Sequence, residues 1–91
     1  MGTLSRARSA GKPAYAPNLL ARCMELAEGH AHAALLLMRI LFWMPKATVR
    51  RAGHTFVAKS RQEWAVEVGI SFDQCKRAMA VLRDLGLVAT E

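Results

Sequence analysis

The sequence predicts a mainly α domain organised around a helix-turn-helix, with a short two-stranded β element beside it. Three observations predict this. Residues 59–88, KSRQEWAVEVGISFDQCKRAMAVLRDLGLV, read as two short helices joined by a tight turn. Ser60 followed by Glu63, and Ser71 followed by Gln74, each match a capping box, in which a serine hydroxyl and the side chain three residues on satisfy backbone donors at a helix start. Gly69 stands where the first of these helices must end, and glycine takes the positive φ of such an end without steric cost. Strand-like alternation is confined to residues 55–58 (TFVA), with 87–90 as their pairing partner.

The elements follow in order. Residues 1–17 mix Gly, Ser, Ala and Pro with Arg6, Arg8 and Lys12 and show no apolar period, so they form a flexible basic N-terminal arm, and residues 18–91 form one helical domain. Asn18 is an N-cap, and Leu19, Leu20, Cys23, Leu26 and Ala27 share one face of a first helix of about ten residues, up to Gly29. From Ala31 or His32 a second helix carries Leu35, Leu36, Leu37, Met38, Ile40, Leu41, Phe42 and Trp43, apolar nearly all round, and Pro45 stops it. Such a helix is covered on several sides, either by the rest of the domain or also by a second copy. The connection MPKATVRRAGH is polar and basic, and no internal repeat follows.

Composition bounds the function. Ninety-one residues with 53% hydrophobic content suffice for one small core. Thirteen Lys and Arg against seven acids give a formal charge of +6, which favours an anionic partner. Cys23 and Cys75 sit far apart at apolar helical positions, reading as reduced, buried and structural in a cytoplasmic protein. The longest apolar run, residues 33–44, reaches about twelve residues where a bilayer span needs roughly twenty, and no apolar segment follows the N-terminal basic residues as in a secretory signal.

Catalytic and metal chemistry find no support in the residue pattern. His30 and His32 are two apart, which on a helix points them to different sides, His54 stands alone, and neither cysteine has a second ligand at metal spacing. Gly53 and Gly69 are isolated, so no phosphate loop is present, and the seven carboxylates form no pair in an apolar setting. The expectation is a protein that is not an enzyme and has no metal or other cofactor. Trp43 and Trp64 lie in apolar helical stripes and read as core rather than as base-stacking platforms.

The run HAALLLMRILFW, the basic loop with Gly53, the stretch FVAKSRQEWAVEVGIS and the ending CKRAMAVLRDLGLV resemble winged-helix domains of plasmid and phage proteins, replication-initiator-like ones among them. The resemblance spans about residues 31–90; its most telling pieces are Trp64, Gly69-Ile70-Ser71, Lys76-Arg77 and Leu85-Gly86-Leu87-Val88. It implies a small wing-bearing fold that binds double-stranded DNA, with the helix over 72–85 as reader. The sequence ends at Glu91, so a truncated wing is expected.

On that helix the 3.6-residue period sends Cys75, Ala78, Met79, Leu82 and Leu85 to the core and leaves Phe72, Asp73, Gln74, Lys76 and Arg77 at the opposite side of its start. Recognition helices touch bases with their N-terminal residues, and Gln, Lys and Arg suit adenine, guanine or phosphate. A capping bond would remove Gln74 from readout, which makes Lys76 and Arg77 the first candidates; local ion pairs from Asp73 to either are the structural alternative. Lys46, Arg50, Arg51, Lys59 and Arg61 form a second basic group suited to phosphates. The arm's basic side chains read as solvated, with minor-groove or RNA contact the less favoured reading. The expected function is a DNA-binding transcriptional or replication-related regulator of a mobile element, acting as a dimer. The alternative is a protein-binding inhibitor of a host system, anti-CRISPR-like, using Ala80, Val81 and apolar residues of the second helix.

Overall fold

Two serines start two helices by the same reciprocal bonds. Ser60 Oγ accepts from the Glu63 backbone N–H at 3.1 Å while Glu63 Oε1 accepts from the Ser60 N–H at 2.7 Å, and the corresponding bonds of Ser71 and Gln74 measure 3.0 and 2.9 Å. Both expected capping boxes are therefore formed, heading α3 (Arg61–Val68) and α4 (Phe72–Asp84). Between them Gly69 takes φ +86°, and its N–H donates to the carbonyl of Ala65.

The structure, a computed structural model, describes residues 3–7 and 18–91. The remaining elements are β1 (Thr3–Ala7), α1 (Leu19–Leu26), α2 (Ala31–Trp43) with a 3₁₀ turn at Met44–Lys46, β2 (Val49–Arg51), β3 (His54–Lys59) and β4 (Val88–Thr90). No described helix is long and apolar enough to cross a membrane. α2 packs against α1, α3, α4 and β1, which accounts for its apolar character on several sides. Asn18 occupies the N-cap position of α1 but its side chain makes no capping bond, and Leu20, expected inward, is half exposed.

The β element departs most from expectation. Instead of two paired strands there is a four-stranded antiparallel sheet in the order β2-β3-β1-β4. Residues 87–90 do not pair with 55–58: β1 lies between them, with Ser5 opposite Val57 on one side and Thr90 on the other. The reason is directional. β3 and β4 are both antiparallel to β1 and so run the same way, and one intervening strand gives each an antiparallel ladder. Thr3–Ala7 is thus a strand of the sheet, where the arm reading had expected flexible chain; Arg8 and Lys12 lie outside the described residues.

β2 and β3 form a hairpin: β3 contains the strand expected over 55–58, and β2 lies in the stretch expected to be a polar, basic connection. Arg51 pairs with His54, so Ala52 and Gly53 are the whole turn; their φ values of +51° and +80° are those of a type I′ turn. This is the hairpin of the described structure, and it precedes α3, whereas the resemblance had placed a wing after α4.

The core is the space enclosed by α1, α2, α3, α4 and one sheet face. Cys23, Ala34, Leu36, Leu37, Ile40, Val57, Trp64, Cys75, Met79, Leu82 and Val88 fill it. Four of the five residues assigned to the buried side of α4 are buried, and Leu85, its C-cap, is half-buried. Trp64 is fully buried, while Trp43 packs at the core's margin. Both thiols are buried and free, and burial raises their pKa, that of Cys75 against the opposing charge of Arg61.

Candidate nucleic-acid interface

Helix α4 presents three kinds of side chain at its exposed start, and successive residues lie about 100° apart around the axis. Phe72 and Lys76, four residues apart, share one flank. Asp73 points outward between the flanks. Gln74 and Arg77 share the other flank, where they line a cleft of about 360 Å³ with His30, His32 and Val81. Lys76 and Arg77 therefore diverge from neighbouring positions. Neither makes an ion pair among the described residues, so the local bonds to Asp73 considered from sequence are not formed. Gln74 Oε1 is held by the capping bond from Ser71 N–H.

The cleft corrects two readings. His30 is the N-cap of α2 and not part of its helical turn, so His30 and His32 reach one cleft although helical spacing had separated them. Val81, expected to be exposed, is half-buried against the core and the cleft, and Ala80 is half-buried too. The exposed valine of the pair of helices is Val66 on α3, at 72%. It escaped sequence reading because α3 has little apolar periodicity by which to assign a face.

The second basic group does not act as one unit. Arg50 and Arg51 are exposed on β2, an edge strand; Arg51 Nη1 donates to the Arg50 carbonyl at 3.1 Å. Charged side chains at such an edge also discourage pairing with another chain. Lys46 stands next to this hairpin with its Nζ 4.1 Å from the centre of the Phe42 ring. Lys59 turns inward: its Nζ is 3.0 Å from Glu67 Oε2 and 4.2 Å from the centre of the Trp43 ring, which withdraws it from the outer surface. Arg61 is half-buried at the first turn of α3, close enough for its charge to act on the Cys75 thiol.

Two cationic surfaces result. One is the start of α4, with Lys76 and Arg77; the other is the hairpin, with Lys46, Arg50 and Arg51. β2 and β4, the strand that α4 feeds, are opposite edges of the sheet, three interstrand spacings or about 14 Å apart. Arg6, on β1, places its guanidinium 5.8 Å from the centre of the Phe56 ring, covering that buried side chain.

Glu67 ties the scaffold under these surfaces. Its carboxylate accepts from Arg39 Nε at 2.6 Å and from Trp43 Nε1, and pairs with Lys59. Burial works to raise its pKa, but the bonds from Trp43, Lys59 and Arg39 outweigh it and hold the carboxyl below its ordinary value. No protein-family model, curated protein or solved structure matches the chain.

Proposed function

We propose that this protein binds double-stranded DNA through α4, as a winged-helix-like regulator of transcription or replication carried by a plasmid or phage and working in the cytoplasm. The observation that carries the reading is the start of α4: a capped helix after a tight turn, with Phe72, Lys76 and Arg77 projecting and neither cation engaged in an ion pair among the described residues. A helix of thirteen residues is about 20 Å long and fits a major groove about 12 Å wide with its N-terminal turn against the bases. The hairpin cations supply backbone contacts, which position the protein without reading sequence. One reader helix gives a small interface, so the reading includes a homodimer on two half-sites.

The test is binding of the purified chain to random and genomic duplexes across a salt series, with its mass in solution measured alongside. Selective binding that persists near physiological salt supports the reading. Binding that is weak, unselective and abolished by salt overturns it.

A specific feature favours a second reading, an inhibitor that docks on a host protein complex. Leu35, Met38 and Phe42 on α2 and Leu19 on α1 line an open groove of about 300 Å³, and Leu35 and Phe42 are exposed. Failure of every duplex to bind, together with loss of partner binding in Leu35→Glu, would favour this second reading.

A further inference from the structure

Phe72 is a large apolar side chain placed in solvent by the first residue of α4, 44% exposed. It belongs neither to the buried core nor to the apolar side chains packed against that core, and it makes no aromatic or cation–π pair among the described residues. Phe42, equally exposed, shows what an occupied ring looks like here: Arg39 and Lys46 lie 4.3 and 4.1 Å from its centre, and the Trp43 ring meets it edge-on at 5.9 Å. Nor does the helix start need Phe72. Ser71 and Gln74 close the capping box, and the apolar anchor before the cap is Ile70, which packs on the core.

The neighbours of Phe72 narrow its partner. Gln74 is committed to Ser71, and Arg77, exposed, lies on the other flank at the rim of the cleft beside α2. Lys76, one turn on, shares the Phe72 flank and supplies a cation next to the ring. An apolar group flanked by a cation at the tip of a reader helix matches the major-groove edge of a thymine, whose C5-methyl is the apolar group that base pairs present there, beside the phosphate backbone.

Resting on the DNA-binding reading, we infer that Phe72 determines specificity by placing its ring against thymine C5-methyl groups in the major groove, with Lys76 holding the adjacent backbone. The target site then contains at least one thymine whose methyl is read.

The experiment starts from duplexes enriched from a random library by the purified full chain. Each thymine of the enriched duplex is then replaced singly by deoxyuridine, which removes the methyl and leaves base pairing intact. The expected result is a loss of about three- to fivefold in affinity at one or two positions, the size of one buried methyl. Phe72→Ser should bind the thymine and uracil duplexes alike, and Phe72→Leu should keep part of the preference, each with an unchanged melting temperature. Lys76→Ala should weaken both duplexes by the same factor. If the chain selects a duplex but does not separate thymine from uracil, or if Phe72→Ser separates them as the wild type does, the inference is overturned while DNA binding stands. If no duplex is selected, the DNA-binding reading itself fails and this inference with it.

Discussion

Arg39 on α2 donates its Nε–H to Glu67 Oε1 on α3 at 2.6 Å, in a carboxylate that also receives Trp43 Nε1 and pairs with Lys59. One side chain of α3 thereby joins α2, the end of β3 and α3 itself. It also explains why Lys59, a phosphate candidate by sequence, is unavailable to a ligand.

This arrangement has a pH signature. The folded pKa of Glu67 lies below its unfolded value, so its contribution is fully present above the unfolded carboxylate range and is lost as pH falls through the folded value. Acid titration of stability should show a loss that begins near pH 4.5 and continues below it. Glu67→Gln should remove that part of the acid loss and cost about 1–3 kcal/mol at pH 7, since it leaves two cations facing a neutral amide. Chemical denaturation at pH 7 and pH 4 measures both. An equal loss on acidification in the wild type and the variant would contradict the role given to Glu67.

The hairpin turn carries a correctable strain. Ala52 adopts φ +51°, a region that non-glycine residues enter at a cost, while Gly53 at +80° enters it freely. Asn tolerates that region better than Ala, and Asn-Gly is the favoured type I′ pair. Ala52→Asn should stabilise the domain by about 0.5–1 kcal/mol, raising its melting temperature without altering DNA affinity. No rise in melting temperature would argue against a type I′ turn at this position.

How far the fold was legible in the sequence depends on whether its signal was local. Capping boxes, the helix end at Gly69 and the inward side of α4 are set by residues within one or two turns of each other, and these are as expected. β1 was not legible, because TLSRA carries no long apolar alternation and its pairing partners lie some fifty and eighty residues away in the chain. β2 had a local signal in Gly53, two residues after the last strand residue, but the arginines of VRR masked a strand that needs only one buried neighbour, Phe56 opposite Val49. Of the candidate site, the residue types on α4 were legible. The divergence of Lys76 and Arg77, the inward turn of Lys59 and the shared cleft of His30 and His32 were not, since each depends on how whole helices pack.

Leu82 tests the facing of α4 directly. It is fully buried on α4 in the core that includes Met79 and Ile40. Leu82→Ala should therefore cost about 2–5 kcal/mol, the loss of a large buried side chain plus the cavity it leaves. Thermal or denaturant melting reads this. An unmoved transition would mean that α4 presents a different side to the core.

The two cationic surfaces make separable predictions about DNA. Lys76→Ala with Arg77→Ala should abolish selective binding while leaving the melting temperature unchanged, because both side chains are exposed and neither holds an ion pair among the described residues. Arg50→Ala with Arg51→Ala acts on the opposite sheet edge, where the DNA-binding proposal assigns phosphate contacts. It should weaken selected and random duplexes alike and flatten the dependence of log affinity on log salt by roughly one unit for each phosphate that is no longer neutralised. The salt slope decides how the duplex lies on the domain. A flatter slope means that one duplex spans both edges of the sheet; an unchanged one confines DNA to α4 and leaves the arginines of β2 to guard an exposed edge.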